Sequence, residues 1–172
     1  MHIWLAASEN GALPGGKVGG VGDVVRDLPL ALAGAGLQVT VITPSYGLFH
    51  RREGTERIGQ ITLEFAGQGR RAALYRRSGP VSGAAGKVEF LFIEHGIMNT
   101  PGRGAIYHDD GPSTPFMTDA TRFAFFSAAV AALVERAETP PDVLHLQDWH
   151  AGLVPVLRRF DRSMRQLRSV RT

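Results

Sequence analysis

One short glycine-rich stretch organises this chain: Lys17-Val18-Gly19-Gly20-Val21-Gly22-Asp23. It follows an apolar run, Ile3–Ala7, that predicts a first β-strand. After it, apolar residues recur at spacings of three and four and predict one buried helix face: Val21, Val24, Val25, Leu28 and Leu32. The stretch is therefore a strand-to-helix loop. Bare glycine backbone, amide N–H groups and the helix dipole suit such a loop to an anion, and its lysine adds a full positive charge.

Two common phosphate-binding motifs fit this loop only in part. A Walker A motif, G-x-x-x-x-G-K-[ST], matches Gly11 to Lys17, but Val18 has no hydroxyl for Mg²⁺. The Rossmann motif, G-x-G-x-x-G, matches Gly20 and Gly22, but Val25 stands in place of the third glycine. A flexible turn without a ligand is the remaining simple interpretation.

The loop resembles more closely the K-x-G-G-[LV]-x-D-V-[VI] segment of bacterial glycogen synthases and plant starch synthases. The matching residues are Lys17, Gly19, Gly20, Val21, Asp23, Val24 and Val25, with Leu28-Pro29 after them. Residues 141–153 resemble that family's P-D-[VI]-[VIL]-H-x-H-D-W-H-[AT]-[GA]-L segment, with Gln147 in place of one histidine. Shorter matches at Ile3–Glu9, Ile106–Asp109 and Asp119–Phe123 extend the resemblance over nearly the whole chain.

This resemblance implies the GT-B fold, in which two Rossmann-like domains enclose a catalytic cleft. The chain would be the N-terminal half, and the C-terminal domain would be absent. The implied reaction transfers glucose from ADP-glucose, or UDP-glucose in some members, to an α-1,4-glucan with retention of configuration and without a metal or other cofactor. We expect the isolated chain to be inactive, because most nucleotide contacts and the catalytic glutamate belong to the absent domain.

The same resemblance assigns residues to the substrates. They are Lys17, Gly19, Gly20, Glu9, Tyr107 and Asp148. Lys17 would contact the diphosphate and would be catalytic together with Asp148, which would lie on the sugar side of the cleft. The amides of the two glycines would lie beside the diphosphate, and the other two side chains would face the acceptor glucan. An ammonium and preorganised N–H groups stabilise the charge that develops on a departing nucleotide diphosphate.

Periodicity and turn residues predict a doubly wound, mostly parallel α/β sheet. Pro29 should kink the first helix, which Gly34 and Gly36 end. The predicted later strands are Val39–Ile42, a hairpin of Ile58–Phe65 and Ala72–Tyr75, Val88–Ile93 and Val143–Leu146, with loops at 80–86 and Glu94–Met117 and a helix over 151–160. A further helix, capped by Thr118 or Asp119, should follow the long loop. Its predicted buried stripe consists of Phe123, Phe126, Val130, Leu133 and Ala137.

Composition places the chain among ordinary globular proteins. Its 172 residues suffice for one domain, predicted at 1–157 with an arginine-rich terminal helix or linker at 158–172. The absence of cysteine excludes disulfides and thiolate metal sites. No uninterrupted apolar stretch approaches about 18 residues, so we expect no membrane segment and a cytoplasmic location.

The sequence pI of about 9.8 raises the possibility of nucleic-acid binding. However, six arginines and one aspartate lie within residues 158–172, and the remaining 13 basic and 15 acidic residues carry a net charge of −2. The terminal segment lacks the interleaved aromatic residues that stack on bases. A solvated face is therefore favoured over a nucleic-acid site.

Three further interpretations stay open. His145, His150 and Asp148 could bind a metal, although a histidine within a strand is more often a hydrogen-bonded structural residue. Trp149 is expected to pack in the fold and not to serve as a platform for a sugar. Finally, the chain could be a standalone carbohydrate- or nucleotide-binding module without catalysis.

Overall fold

The computed structural model describes residues 1–79 and 86–172. Six strands form one sheet in the order β3-β4-β5-β2-β1-β6. The strands are β1 (His2–Ala6), β2 (Gln38–Pro44), β3 (Glu56–Phe65), β4 (Gln68–Ser78), β5 (Lys87–Glu94) and β6 (Val143–Leu146). The helices are α1 (Gly20–Gly34), α2 (Met117–Glu135), α3 (Leu153–Phe160) and α4 (Arg165–Ser169), with single 3₁₀ turns at Phe49–Arg51, Gly96–Asn99 and Trp149–Ala151.

The parallel half of the sheet consists of β5, β2, β1 and β6. Helix α1 connects β1 to β2, whereas α2 connects β5 to β6 in the opposite direction across the sheet. Because such crossovers are right-handed, the two helices cover opposite faces. The predicted doubly wound α/β fold is confirmed. Its core includes fully buried strand residues such as Leu5, Ile42 and Ile93.

The predicted hairpin is also confirmed. Strands β3 and β4 pair in antiparallel register, and β4 pairs with β5 in the same sense. The turn between them has positive φ angles at Ala66 and Gly67 (50° and 71°), which is typical of the two-residue turns that suit the twist of a hairpin. The loop predicted at 80–86 lies, apart from Gly86, outside the described residues.

Helix α1 ends at Gly34, one of the two glycines predicted to end it, and runs through Pro29; the kink stays a prediction. Just beyond its end lies a glycine with a positive φ angle, as is common for helices. Gly36 has a φ of +83° and donates to the carbonyl of Ala33 at 2.9 Å, and Leu37 donates to that of Leu32 at 3.2 Å. These two bonds satisfy carbonyls that the helix end leaves free.

The prediction for α2 is wrong in two respects. The helix begins at Met117 after Phe116, whose φ is 62°, so neither Thr118 nor Asp119 caps it. The helix is also buried around most of its circumference, and not along one stripe, because α3, α4 and β3 pack against it. Within the described residues α2 alone is long and apolar enough to cross a membrane, and 61% of its most apolar 18-residue segment is buried inside the protein.

The terminal segment packs onto the domain. The predicted boundary between residues 157 and 158 falls within α3, and Leu167 and Val170 beyond it are buried. The carboxylate of Glu135, at the end of α2, accepts hydrogen bonds from the amides of Arg165 and Leu167 at 3.0 Å each. Residues 158–172 include the end of α3 and all of α4, so the helical alternative describes this segment, and the domain boundary itself stays a prediction.

Candidate functional site

The glycine-rich loop and Asp148 leave the same edge of the sheet. Strands β1 and β6 are parallel neighbours, and Ala6 lies opposite Leu146 at their carboxyl ends. The amide of Gln147 donates to the carbonyl of Ala6 at 2.9 Å. Ligands of open α/β sheets bind beyond the carboxyl ends of strands, so this edge is the candidate site.

Glu9 lies beneath the glycine-rich loop and holds it. Its Oε2 accepts hydrogen bonds from the amides of Val18 and Gly19, each at 2.8 Å, and its Oε1 accepts one from the hydroxyl of Tyr107 at 2.7 Å. Only 1% of Glu9 is exposed. The carboxylate predicted to face the acceptor glucan is therefore covered in this structure and connects two loops of the site.

These contacts set the ionisation of both partners. Burial acts to raise the pKa of Glu9, but hydrogen bonds from Tyr107 and from the amides of Val18, Gly19 and Gly22 together lower it below the ordinary value. Burial raises the pKa of Tyr107, and the negative charges of Glu9 and Asp148 raise it further. Near neutral pH the pair is therefore a carboxylate that accepts a hydrogen bond from a neutral phenol.

Lys17 stands at the open side of the loop. Its Nζ lies 2.7 Å from both carboxylate oxygens of Asp23, and the two side chains are 45% and 40% exposed. Gly22 makes this arrangement possible, because a Cβ there would lie 2.8 Å from Cγ of Lys17 and 2.9 Å from Oε2 of Glu9. The ammonium predicted to meet a phosphate is thus positioned by an aspartate of the same motif.

The two glycines predicted to bind phosphate differ in their surroundings. The Gly19 amide is paired with Glu9, so a ligand reaches it only if that carboxylate moves. Gly20, the first residue of α1, is exposed and has no heavy atom within 4 Å of the position that a Cβ would take. A ligand can therefore approach the backbone at the helix N-terminus, where the dipole favours an anion.

Asp148 has a strained backbone. Its φ and ψ are 63° and −179°, a combination that essentially only glycine adopts and that costs about 1–3 kcal/mol. Its carboxylate accepts a hydrogen bond from the amide of Trp149 at 2.6 Å, and the residue is exposed. Strain of this kind concentrates at functional sites, which favours a role for this carboxylate.

Behind Asp148, His150 is buried among aromatic rings. Its ring centroid lies 4.6 Å from Phe123, 5.3 Å from Tyr107 and 4.3 Å from Trp149. Only 3% of His150 is exposed, and neither ring nitrogen has a hydrogen-bond partner among the described residues. Burial lowers its pKa despite nearby carboxylates. Trp149 contacts this cluster but remains 49% exposed, so its role in packing and not as a sugar platform stays a prediction.

Sequence reasoning did not identify a role for Arg122. This fully buried side chain, on α2, forms an ion pair with Asp119 at 2.6 Å. Its guanidinium also donates to three carbonyls of the long loop, those of Met98, Ala105 and Ile106. Asp119 accepts from the amide of His108 at 3.0 Å. Arg122 and Asp119 together fix the loop that carries Tyr107. The spacing of residues in the sequence does not indicate such a role for an arginine.

The metal interpretation finds no support in the geometry. Nowhere in residues 1–79 and 86–172 do three or more His, Asp or Glu side chains group so that they could hold a metal ion. His145 instead contacts the amide oxygen of Gln147 at 3.2 Å. The structural interpretation of this histidine is therefore the one that the contacts favour.

Comparisons with known proteins agree on one family. Residues 2–172 match the family described as the starch synthase catalytic domain. Glycogen synthases of Myxococcus xanthus and Exiguobacterium sibiricum are each 35% identical over 92% and 93% of this chain, which spans 31% of their length. The catalytic domain of starch synthase IV from Arabidopsis thaliana, bound to ADP and acarbose, has a TM-score of 0.73 and 26% identity, over 99% of this chain and 32% of that one.

Proposed function

This chain belongs to the starch synthase catalytic domain family, and on that premise we propose that it forms the acceptor-side part of a GT-B glucosyltransferase. The reaction is transfer of glucose from ADP-glucose to the end of an α-1,4-glucan, with retention of configuration. The chain spans about a third of its curated relatives, so it supplies one wall of the cleft and has no turnover by itself.

One structural relationship carries this proposal. The loop with Lys17 and the residue Asp148 leave adjacent parallel strands at the same sheet edge, and Tyr107 is close enough to Asp148 and Glu9 that both carboxylates raise its pKa. A cation and a carboxylate thus follow neighbouring strands at their carboxyl ends. This is the arrangement that a sugar nucleotide needs, with its diphosphate at one side and its sugar at the other.

Each group has a role in the proposed reaction. The ammonium of Lys17 and the open N-terminus of α1 at Gly20 bind the donor diphosphate and stabilise the charge that grows on it as the glycosidic bond breaks. The carboxylate of Asp148 orients the sugar or the acceptor. Glu9 and Tyr107 act behind these groups as positioning residues, since their contacts are with the loop and with each other.

The names of the relatives support the two ligand classes. The Arabidopsis structure holds ADP and acarbose, and the two bacterial relatives are glycogen synthases. We take a nucleoside diphosphate sugar as donor and an α-glucan as acceptor on this basis. The choice of ADP over UDP belongs to the same proposal and depends on residues beyond this chain.

A chimera tests the proposal directly. Residues 1–172 replace the corresponding first third of the Exiguobacterium sibiricum glycogen synthase, and incorporation of labelled glucose from ADP-glucose into glycogen is measured. We expect activity in the chimera, and none in the remaining two thirds or in the isolated 172 residues. A well-folded chimera without activity would count against the proposal, and turnover by residues 1–172 alone would contradict the assignment of one cleft wall to this chain.

A further inference from the structure

A basic groove, distinct from the candidate site, lies at the end of α3. It has a volume of about 760 Å³ and is lined by Arg158, Arg159, Phe160, Arg162, Arg165 and Arg168. Five guanidinium groups thus surround a space whose volume is within the range of about 300–1,000 Å³ typical of small-molecule sites. Such a concentration of like charges is unfavourable by itself.

Two of the five arginines build the groove. Arg158 donates to the carbonyls of Leu167, Arg168 and Val170 at 3.1–3.3 Å. Arg168 donates in return to the carbonyls of Arg158 and Asp161, at 3.1 and 3.0 Å. These reciprocal bonds fix the turn between α3 and α4, so the groove is a formed feature and not a chance arrangement of mobile side chains.

The other three arginines, Arg159, Arg162 and Arg165, form no ion pair with a carboxylate among the described residues. Every arginine–carboxylate pair within 4.0 Å that the described residues form lies elsewhere, at Arg26, Arg76 and Arg122. The one carboxylate in the turn, that of Asp161, accepts hydrogen bonds from the amide and the hydroxyl of Ser163. The groove therefore concentrates positive potential and attracts multivalent anions.

The groove lies near the amino ends of the parallel strands, whereas Lys17 lies at their carboxyl ends. Helix α3 follows the carboxyl end of β6 and runs back along the sheet, and its eight residues cover about 12 Å. Arg171, just after the groove residues, bridges to Val143 at the amino end of β6. An anion bound in the groove is thus remote from the candidate site and would act there only indirectly.

We propose that this basic groove binds a compact di- or polyphosphate. Planar guanidinium groups form paired hydrogen bonds with phosphate oxygens, and three free ones match the charge of two or more adjacent phosphates. Phe160 is 74% exposed at the groove, with the guanidinium of Arg159 5.7 Å from its ring centroid. Its free face suits a nucleobase, so the phosphates can come from free pyrophosphate or from a nucleoside triphosphate. The site does not depend on the proposed transferase function.

Calorimetric titration of the 172-residue chain with pyrophosphate tests the proposal. The triple variant Arg159→Gln/Arg162→Gln/Arg165→Gln removes the three free charges and leaves the structural arginines in place. We expect its affinity for pyrophosphate to fall about tenfold or more. The matched control, Arg57→Gln/Arg71→Gln/Arg136→Gln, removes the same charge from exposed positions outside the groove and should change the affinity less than about twofold. The titrations are repeated in a Lys17→Ala background, which removes the diphosphate contact of the candidate site.

Parallel titrations distinguish the sources of the phosphate. Tighter binding of ATP than of tripolyphosphate, lost in Phe160→Ala, would assign a nucleotide, and equal binding of the two would assign a free polyphosphate. Absence of pyrophosphate binding to a folded chain, or undiminished binding in the triple variant, would overturn the proposal. So would single-stranded DNA that binds to the groove and is not displaced by pyrophosphate, since that result would indicate a nucleic-acid surface.

Discussion

Oε2 of Glu9 lies 2.8 Å from the amide nitrogen of Gly19, so a buried carboxylate of the chain itself already occupies part of the glycine-rich loop. In comparable loops these amides meet a phosphate. Here the carboxylate of Glu9 accepts hydrogen bonds from two of these amides and one from the hydroxyl of Tyr107. The loop is therefore held in shape before any ligand arrives, and the ammonium of Lys17 extends from a fixed base.

The first prediction concerns this carboxylate. Glu9→Ala leaves the amides of Val18 and Gly19 and the hydroxyl of Tyr107 without their acceptor. Hydrogen bonds to a charged group contribute about 1.5–3 kcal/mol each, so we expect the free energy of unfolding to fall by about 3 kcal/mol or more. Amide hydrogen exchange, followed by NMR, should show selective loss of protection at Val18 and Gly19.

Glu9→Gln and Glu138→Gln serve as controls for that experiment. The first keeps the shape but not the charge, and should lose about half as much stability as the alanine variant. The second neutralises an exposed carboxylate and should have almost no effect. Unchanged protection at Val18 and Gly19 in Glu9→Ala would show that the carboxylate does not hold the loop.

The sequence was sufficient to predict the parts of the site that depend on strand direction. The loop after Ala7 and the segment at Asp148 follow parallel strands, so they had to leave one edge of the sheet once those strands were neighbours. It was not sufficient to predict that Glu9 folds beneath its own loop. A carboxylate ten residues before Gly19 can point to solvent or inward, and only packing against Tyr107 decides between them.

The prediction for α2 failed for a similar reason. Periodicity describes a helix with one covered face, but α3, α4 and the hairpin cover most sides of this one. An inward arginine such as Arg122 looks like an ordinary surface charge in a sequence. Its function depends on three carbonyls of a loop whose path no local pattern specifies.

The second prediction concerns that arginine. Removing one partner of a buried ion pair costs about 3–5 kcal/mol because the other charge is left unpaired. We therefore expect Arg122→Met to lower the free energy of unfolding by that amount. Arg122→Lys should lose a large part of it as well, because an ammonium cannot reproduce the planar fork that contacts Asp119 and the loop carbonyls together. Urea titration measures both.

Arg136→Met is the matched control for the Arg122 variants, since it makes the same change at an exposed position near the end of the same helix. It should shift stability by less than about 0.5 kcal/mol. If Arg122→Lys left the free energy of unfolding almost unchanged, charge alone, and not the shape of the guanidinium, would fix the long loop.

The third prediction is a pH dependence. Burial lowers the pKa of His150 below its ordinary value of 6.5, so the folded protein favours the neutral ring. The unfolded chain binds a proton as the pH falls through 6.5, whereas the folded chain does so only at lower pH. This residue therefore contributes stability above that value, and the contribution is lost progressively as the pH falls towards the folded pKa.

His150→Phe removes the titrating group and keeps an aromatic ring in the cluster. Urea titrations at about pH 8 and about pH 5.5 should show that the variant gains stability relative to the unmodified chain as the pH falls. His108→Phe replaces an exposed histidine and should show no such gain. Parallel pH profiles for His150→Phe and the unmodified chain would contradict the prediction.

The last prediction separates function from folding at Lys17. Its ion pair with Asp23 is exposed on both sides, and pairs of this kind contribute about 0–1 kcal/mol. Lys17→Ala should therefore leave the melting temperature of the 172-residue chain nearly unchanged. In the active chimera, however, it removes the positive charge from the place where a departing diphosphate gains negative charge, and loss of such a group lowers kcat by about 10²–10³-fold. Lys87→Ala, at the chain's other lysine, is the control and should change neither the melting temperature of the chain nor the kcat of the chimera. A large fall in melting temperature in Lys17→Ala would give this lysine a structural role, and unchanged kcat and KM in the chimera would remove it from the proposed site.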